Sequence, residues 1–158
     1  MNKALTLSIV IPVYNEEIHL GSCLESIMAQ TISPTEIIVV DNNSTDNSAK
    51  IAKEFPLVRV VNEKEQGVIN ARTTGFNEAS GQIIGRIDAE TRLEPGWVEK
   101  IHKIFQDKTI DAVSGPVGYH DAPAEKAVLF FDKTIRMATW KIGKIDDAVF
   151  LFGGNMAL

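Results

Sequence analysis

Asp88 and Glu90 stand two residues apart in the stretch DAET, directly after an apolar run. On an extended or turning segment that spacing lets both carboxylates point the same way. Two clustered carboxylates repel unless one is protonated or a cation bridges them. Hard oxygen donors suit Mg2+ or Mn2+, which keep waters and draw remaining ligands from substrate phosphates. Such an ion would neutralise a departing diphosphate. The same residues also read as a polar loop, with Glu90 and Glu94 solvated ahead of a helix at Pro95.

Three further polar clusters carry comparable chemistry. PVYNEE places Tyr14, a flat ring with a polar tip, at the end of an apolar run. It could stack on a base, while Asn15 and Glu16 could equally begin a helix, whose amino end favours acidic residues. VVDNNSTD ends another apolar run on Asp41, with Asn43 or Ser44 suited to cap the next helix. In QGVINARTTG, Gly67 allows a tight helix entry, and the Arg72 guanidinium could reach a phosphate. Its alternative is a solvated arginine paired with Glu78 or Glu65.

The elements that position these clusters alternate. Leu7–Val13 (LSIVIPV) is a continuous apolar run, the mark of a strand buried on both faces. Further strands are expected at 36–40, 57–62, 82–88 and 111–117. Residues 17–30 put Leu20, Cys23, Leu24, Ile27 and Met28 on one helical face. Helices are also expected at 44–55 and 66–79. Another starts in the Pro95 region with Trp97, Val98, Ile101, Ile104 and Phe105 inward. Residues 124–142 suggest a last, less regular helix, with Phe130 and Trp140 read as core. Strands and helices in strict alternation with short connections imply a parallel sheet with right-handed crossovers. In such sheets ligands bind beyond the carboxyl ends of the strands, where PVYNEE, DNNSTD and DAET fall.

Composition narrows the classes. The chain has 158 residues, 44% hydrophobic and 23% charged, with a formal net charge of −5. That balance argues against nonspecific nucleic-acid binding. A single cysteine permits no internal disulfide, and Cys23 reads as a core residue. No apolar run approaches the roughly 18 residues of a membrane span. GxGxxG and GxxxxGK[ST] loops, H-E-x-x-H and G-x-S-x-G are all absent. His19, His102 and His120 are too scattered to form a metal site.

The pieces SIVIPVYNEE, LESIMAQT, EIIVVDNNSTDNS, QGVINARTTGFNEASGQIIGRIDAET and GGNMAL, in this order, closely resemble the inverting family 2 glycosyltransferases. The resemblance covers nearly the whole chain. It implies an α/β, Rossmann-like GT-A fold, with a mainly parallel central sheet and helices on both faces. The activity it implies is sugar transfer from a nucleotide-diphosphate donor to an acceptor hydroxyl, with inversion. By the same resemblance Pro12, Tyr14 and Glu16 line the nucleoside pocket. Asp41 hydrogen-bonds the base beside Asn43 and Ser44, and Arg72 lies near the nucleotide. Asp88 and Glu90 occupy the D-x-D position, where the first carboxylate usually lies near the ribose and diphosphate and the last binds the metal; Asp88 and Ala89 are thus expected to bind donor, and Asp88 and Glu90 to hold Mn2+ or Mg2+. Glu90 departs from the more usual aspartate by one methylene. The family's general base lies downstream of the segment matching GGNMAL, and Asp146 and Asp147 come too early to be it. The expectation is therefore a single donor-binding domain over 1–158, incomplete at the C-terminus, that binds donor but transfers poorly.

The expected partners are the nucleotide-diphospho-sugar donor and a glycan or lipid-linked acceptor. The expected location is cytoplasmic, at the membrane face if apolar spans come after Leu158. A non-catalytic nucleotide-sugar binding module is the competing reading. A nucleotidyltransferase would want a Gly-rich basic loop where PVYNEE is acidic. A receiver-like domain would want a lysine where the fifth strand ends SGPVGY.

Overall fold

A computed structural model describes residues 5–114 and 155–158. Among the described residues ten elements occur in chain order: β1 (Leu7–Val13), α1 (Leu20–Met28), β2 (Glu36–Asp41), α2 (Ser48–Lys53), β3 (Val58–Asn62), α3 (Val68–Glu78), β4 (Ile83–Ile87), α4 (Trp97–Ile104), β5 (Val113–Ser114) and β6 (Asn155–Ala157). The strands form one sheet in the order β3-β2-β1-β4-β6-β5. β1 pairs in parallel with both β2 and β4, and β2 with β3. β6 runs antiparallel to β4 and β5, between them.

The apolar runs explain the layering. Alternate residues of a strand face opposite sides. Ile9, Ile11, Ile37 and Val39 therefore meet the buried faces of α1 and α4, with Ala52 of α2. Val10, Ile38 and Val40 meet Ala71 of α3 on the other side, with Phe76 packed against them. Helices thus cover both faces. Close approach of α3 depends on Gly75, where a Cβ would lie 2.3 Å from Val10 Cγ1 and 3.0 Å from Val40 Cγ2.

The expected GT-A-like α/β architecture is present, with differences at the element ends. α1 begins three residues later than residues 17–30 suggest, because Glu16 C=O accepts the His19 and Leu20 N–H groups in a preceding turn. α2 is shorter still. Its N-cap position is Asn47, not Asn43 or Ser44. Asn43 instead adopts a left-handed backbone, φ 64°, which asparagine tolerates better than most residues. Pro95 lies in the turn ahead of α4, which starts after left-handed Gly96. Met28, expected inward, is 38% exposed at the end of α1. The fifth strand is described only as Val113–Ser114 and reaches the sheet through β6, not β4. Residues 115–117 of that expected strand, the expected helix at 124–142, and Asp146 and Asp147 lie outside the described residues. Among the described residues, no helix is long and apolar enough to cross a membrane.

Candidate functional site

The carboxyl ends of β1, β2 and β4 open onto a cleft of about 370 Å3. Pro12, Val13, Tyr14 and Glu16 line it from β1 and its following loop, and Asn42 from the end of β2. Gln66, Val68, Ala71 and Arg72 contribute the α3 side, and Asp88, Ala89 and Glu90 the end of β4. Seven sequence-predicted residues therefore converge: Pro12, Tyr14, Glu16, Arg72, Asp88, Ala89 and Glu90.

Asp41, Asn43 and Ser44 are not among the lining residues. Asp41 is 8% exposed, and its Oδ1 accepts the Ser44 N–H at 3.2 Å. Asn43 Nδ2 donates to Lys64 C=O at 2.9 Å. Ser44 Oγ accepts the Asn15 N–H at 3.1 Å, so it holds the neighbouring loop and does not cap α2.

That contact belongs to a latch between the β1–α1 and β2–α2 loops. The Glu16 N–H donates to Ser48 Oγ at 2.8 Å, and the Glu17 N–H to Asp46 Oδ2 at 3.0 Å. In the other direction, the Thr45 N–H donates to Asn15 Oδ1 at 2.8 Å, and the Asn47 N–H to Glu17 Oε2 at 3.0 Å. Short polar side chains supply backbone partners that regular structure cannot provide in a loop. The latch fixes Tyr14 and Glu16, which flank its first contact.

Asn42, missed by the sequence reading, is 2% exposed and joins three segments. Its Nδ2 donates to the Glu63 and Glu65 carbonyls at 3.0 and 2.8 Å, and its Oδ1 accepts the Gly67 N–H at 2.7 Å. Gly67 has φ 142°, a region natural to glycine. The bond thus sets the entry of α3, and with it Gln66 and Val68 on the cleft wall.

Electrostatics divide the cleft. Asp88 Oδ1 accepts from Arg86 Nη1 at 2.8 Å and lies 3.7 Å from Arg72 Nη2. Arg72 pairs with neither Glu78 nor Glu65 in these contacts; Glu78 is held by Arg59 instead. Arg86 also escaped the sequence reading, although an arginine two positions before a carboxylate on a strand shares its face. Burial pushes Glu16 above the ordinary carboxylate range, and the charge on Glu90 adds to this, followed by Asp46 and Asp88, with His19 opposing. Burial also pushes the Cys23 thiol up to about 12, so it stays protonated in the core.

Among the described residues, no three His, Cys, Asp or Glu side chains group to hold a metal ion by themselves. The donor set nonetheless fits the divalent ion that the resemblance implies. Asp88 and Glu90 share one cleft, and their charge is felt at Glu16. Mg2+-type sites commonly use one or two carboxylates and complete their shell with water and substrate phosphates.

Comparison with known proteins agrees with this geometry. A glycosyltransferase of Streptococcus pneumoniae, GlyA, is 32% identical over 129 residues, which is 79% of this chain and 18% of GlyA. The glycosyltransferase YibD of Escherichia coli is 33% identical over 115 residues, 70% of this chain and 33% of YibD. The chain thus spans a third or less of these relatives. Among solved structures, a mannosyltransferase from Pyrobaculum calidifontis, in complex with GDP-Man and Mn2+, superimposes with a TM-score of 0.75 at 25% identity. That likeness covers 99% of this chain and 45% of the other. A glucosyl-3-phosphoglycerate synthase from Mycobacterium tuberculosis, with Mn2+, UDP and phosphoglyceric acid, shares the fold with a TM-score of 0.69 at 22% identity. The sequence model described as Glycosyl transferase family 2 matches residues 8–152, from the first strand through all the cleft residues, and the chain belongs to that family.

Proposed function

We propose that the cleft binds a nucleotide-diphospho-sugar donor together with Mn2+ or Mg2+, as the first half of an inverting sugar transfer to an acceptor hydroxyl. The observation that carries this reading is the convergence of Tyr14, Arg72, Asp88 and Glu90 in one cleft at the strand ends. Each supplies a different need of the same ligand. Half-exposed Tyr14 offers a ring face for the base. Arg72 offers a planar guanidinium for the phosphates, and its Nε is shielded from water with no partner among the described residues. Asp88 and Glu90 would hold the ion, which when bound neutralises charge on the departing diphosphate. At the close of β2 it is Asn42 that lines the cleft, while buried Asp41 holds the Ser44 N–H and so supports the turn beside it.

The mannosyltransferase that holds GDP-Man and Mn2+ supports this donor class, as does a Staphylococcus aureus TarS structure with UDP-GlcNAc. In the transfer itself, inversion requires a base on the acceptor hydroxyl and departure of the diphosphate from the opposite face. Pro12, Tyr14, Arg72 and Asp88 would hold the donor while that occurs. Titration calorimetry with UDP, GDP and dTDP, each with Mn2+ and with EDTA, tests the reading. At least one nucleotide should bind, and Mn2+ should tighten it. Absence of binding by all three would overturn the reading, and binding indifferent to Mn2+ would remove Asp88 and Glu90 from it.

A further inference from the structure

Arg86 sits in β4, and its side chain is 2% exposed. A guanidinium remains charged in such a place, and a buried charge is tolerated only with a well-placed partner. That partner is Asp88, through Nη1 and Oδ1 at 2.8 Å. Arg72 approaches the same oxygen from α3, but its Nη2 stays at 3.7 Å and its side chain is 36% exposed. One carboxylate oxygen thus meets two cations of different standing. The first is fixed in the sheet, and the second is loosely held at the cleft.

We propose that Arg86 is a positioning residue for the ion-binding end of the cleft: it fixes the Asp88 carboxylate through Oδ1 and thereby aims Oδ2 at the divalent ion. The inference rests on the nucleotide-and-metal reading above. Without Arg86, Asp88 keeps, among the described residues, only the more distant Arg72 as a close cation. The carboxylate would then turn toward α3, and its second oxygen would lose its aim. Partners that orient a metal-binding side chain typically govern metal affinity by 10- to 100-fold. Arg86 is not a catalytic residue, because it acts only through Asp88.

The test compares R86M and R86K with the parent chain, using UDP and GDP titrated with Mn2+ and with EDTA, alongside thermal melts. The readout is the gain in nucleotide affinity that Mn2+ confers. R86M should cut that gain by about tenfold or more, and lower the affinity measured in EDTA by much less. R86K keeps the charge but not the planar fork, so its loss should be smaller and in the same direction. Should R86M fail to fold, R86K is judged by the same criterion. A lowered melting temperature with the Mn2+ gain intact would make Arg86 purely structural. Equal losses with Mn2+ and with EDTA would also overturn the proposal. A parent chain on which Mn2+ has no effect would defeat the metal site itself, and this role for Arg86 with it.

Discussion

Asn42 links the ends of β2 and β3 to the start of α3 through one buried amide. Truncation would leave two carbonyls and one N–H near it without their partners, and an unsatisfied buried polar group costs about 1–3 kcal/mol. Asn42→Ala should therefore lower the unfolding free energy by about 2–3 kcal/mol in urea denaturation. Nucleotide affinity should fall as well, because Gln66 and Val68 belong to the segment that Asn42 holds. A stability loss within 0.5 kcal/mol, roughly the range of ordinary surface changes, would contradict this role. Tyr14, Asp88 and Glu90 were legible in the sequence, because polar or aromatic groups following apolar runs at one sheet edge call for an explanation, and Arg72 because a guanidinium on the neighbouring helix can reach a phosphate. Asn42 was not, since in DNNS its neighbour Asp41 looks chemically more able. Only the fold reveals that Asp41 accepts the Ser44 N–H while Asn42 lines the cleft. Arg86 was hidden for a different reason. Its burial depends on strands and helices far away in the chain, and a single arginine in QIIGRID does not announce it.

At the scale of elements, the seat of α3 on the sheet is decided at Gly75. Alanine would be favoured over glycine inside a helix by about 1 kcal/mol. Against this, the added Cβ would meet Val10 Cγ1 at 2.3 Å, on a β-branched side chain fully buried in a central strand. Overpacking of that kind costs about 1–3 kcal/mol, so the clash should win. Gly75→Ala should lower the melting temperature, and it should weaken nucleotide binding because Arg72 rides on the same helix. A higher melting temperature would show that α3 shifts without strain. The order and type of the described elements were legible, because buried strands and amphipathic helices carry different periods. Their ends were less so. The polar residues at 15–17 and 44–47 have the composition of helix starts, yet they bond across to each other's loops. β6 could not be inferred as the strand between β4 and β5, since an antiparallel insertion leaves no mark in local periodicity.

Across the whole molecule, the end of the sheet opposite the cleft is tied at Glu36. Ser8 Oγ donates to its carboxylate at 2.7 Å, as do the Ser80 N–H and Ser80 Oγ. Arg59 Nη2 lies 3.5 Å away. Burial opposes ionisation, but the hydrogen bonds from Ser8 and Ser80, with Arg59, prevail and hold the carboxyl at about 2, below its usual 4.5. A depressed folded-state value stabilises the fold fully above the unfolded value, and the contribution is lost as pH falls. The window therefore runs from about 4.5 down to about 2, with at most about 3 kcal/mol at stake. Glu36→Gln should flatten the stability curve in that window in acid titrations tracked by circular dichroism. An unchanged slope would remove Glu36 from the acid response.

The latch beside Tyr14 has a consequence in time as well as in shape. Five backbone N–H groups of two loops, those of Asn15, Glu16, Glu17, Thr45 and Asn47, rest on side-chain oxygens of the opposite loop or, for Glu16, of Ser48 at the start of α2. If these protons exchange only when the loops part, all five should show one shared protection factor in hydrogen exchange, and unequal factors would show that they open separately. The wall of the cleft would then open as one hinged leaf. Such a cleft would have few partly open forms, and a donor entering it would meet a surface that is either set or undone.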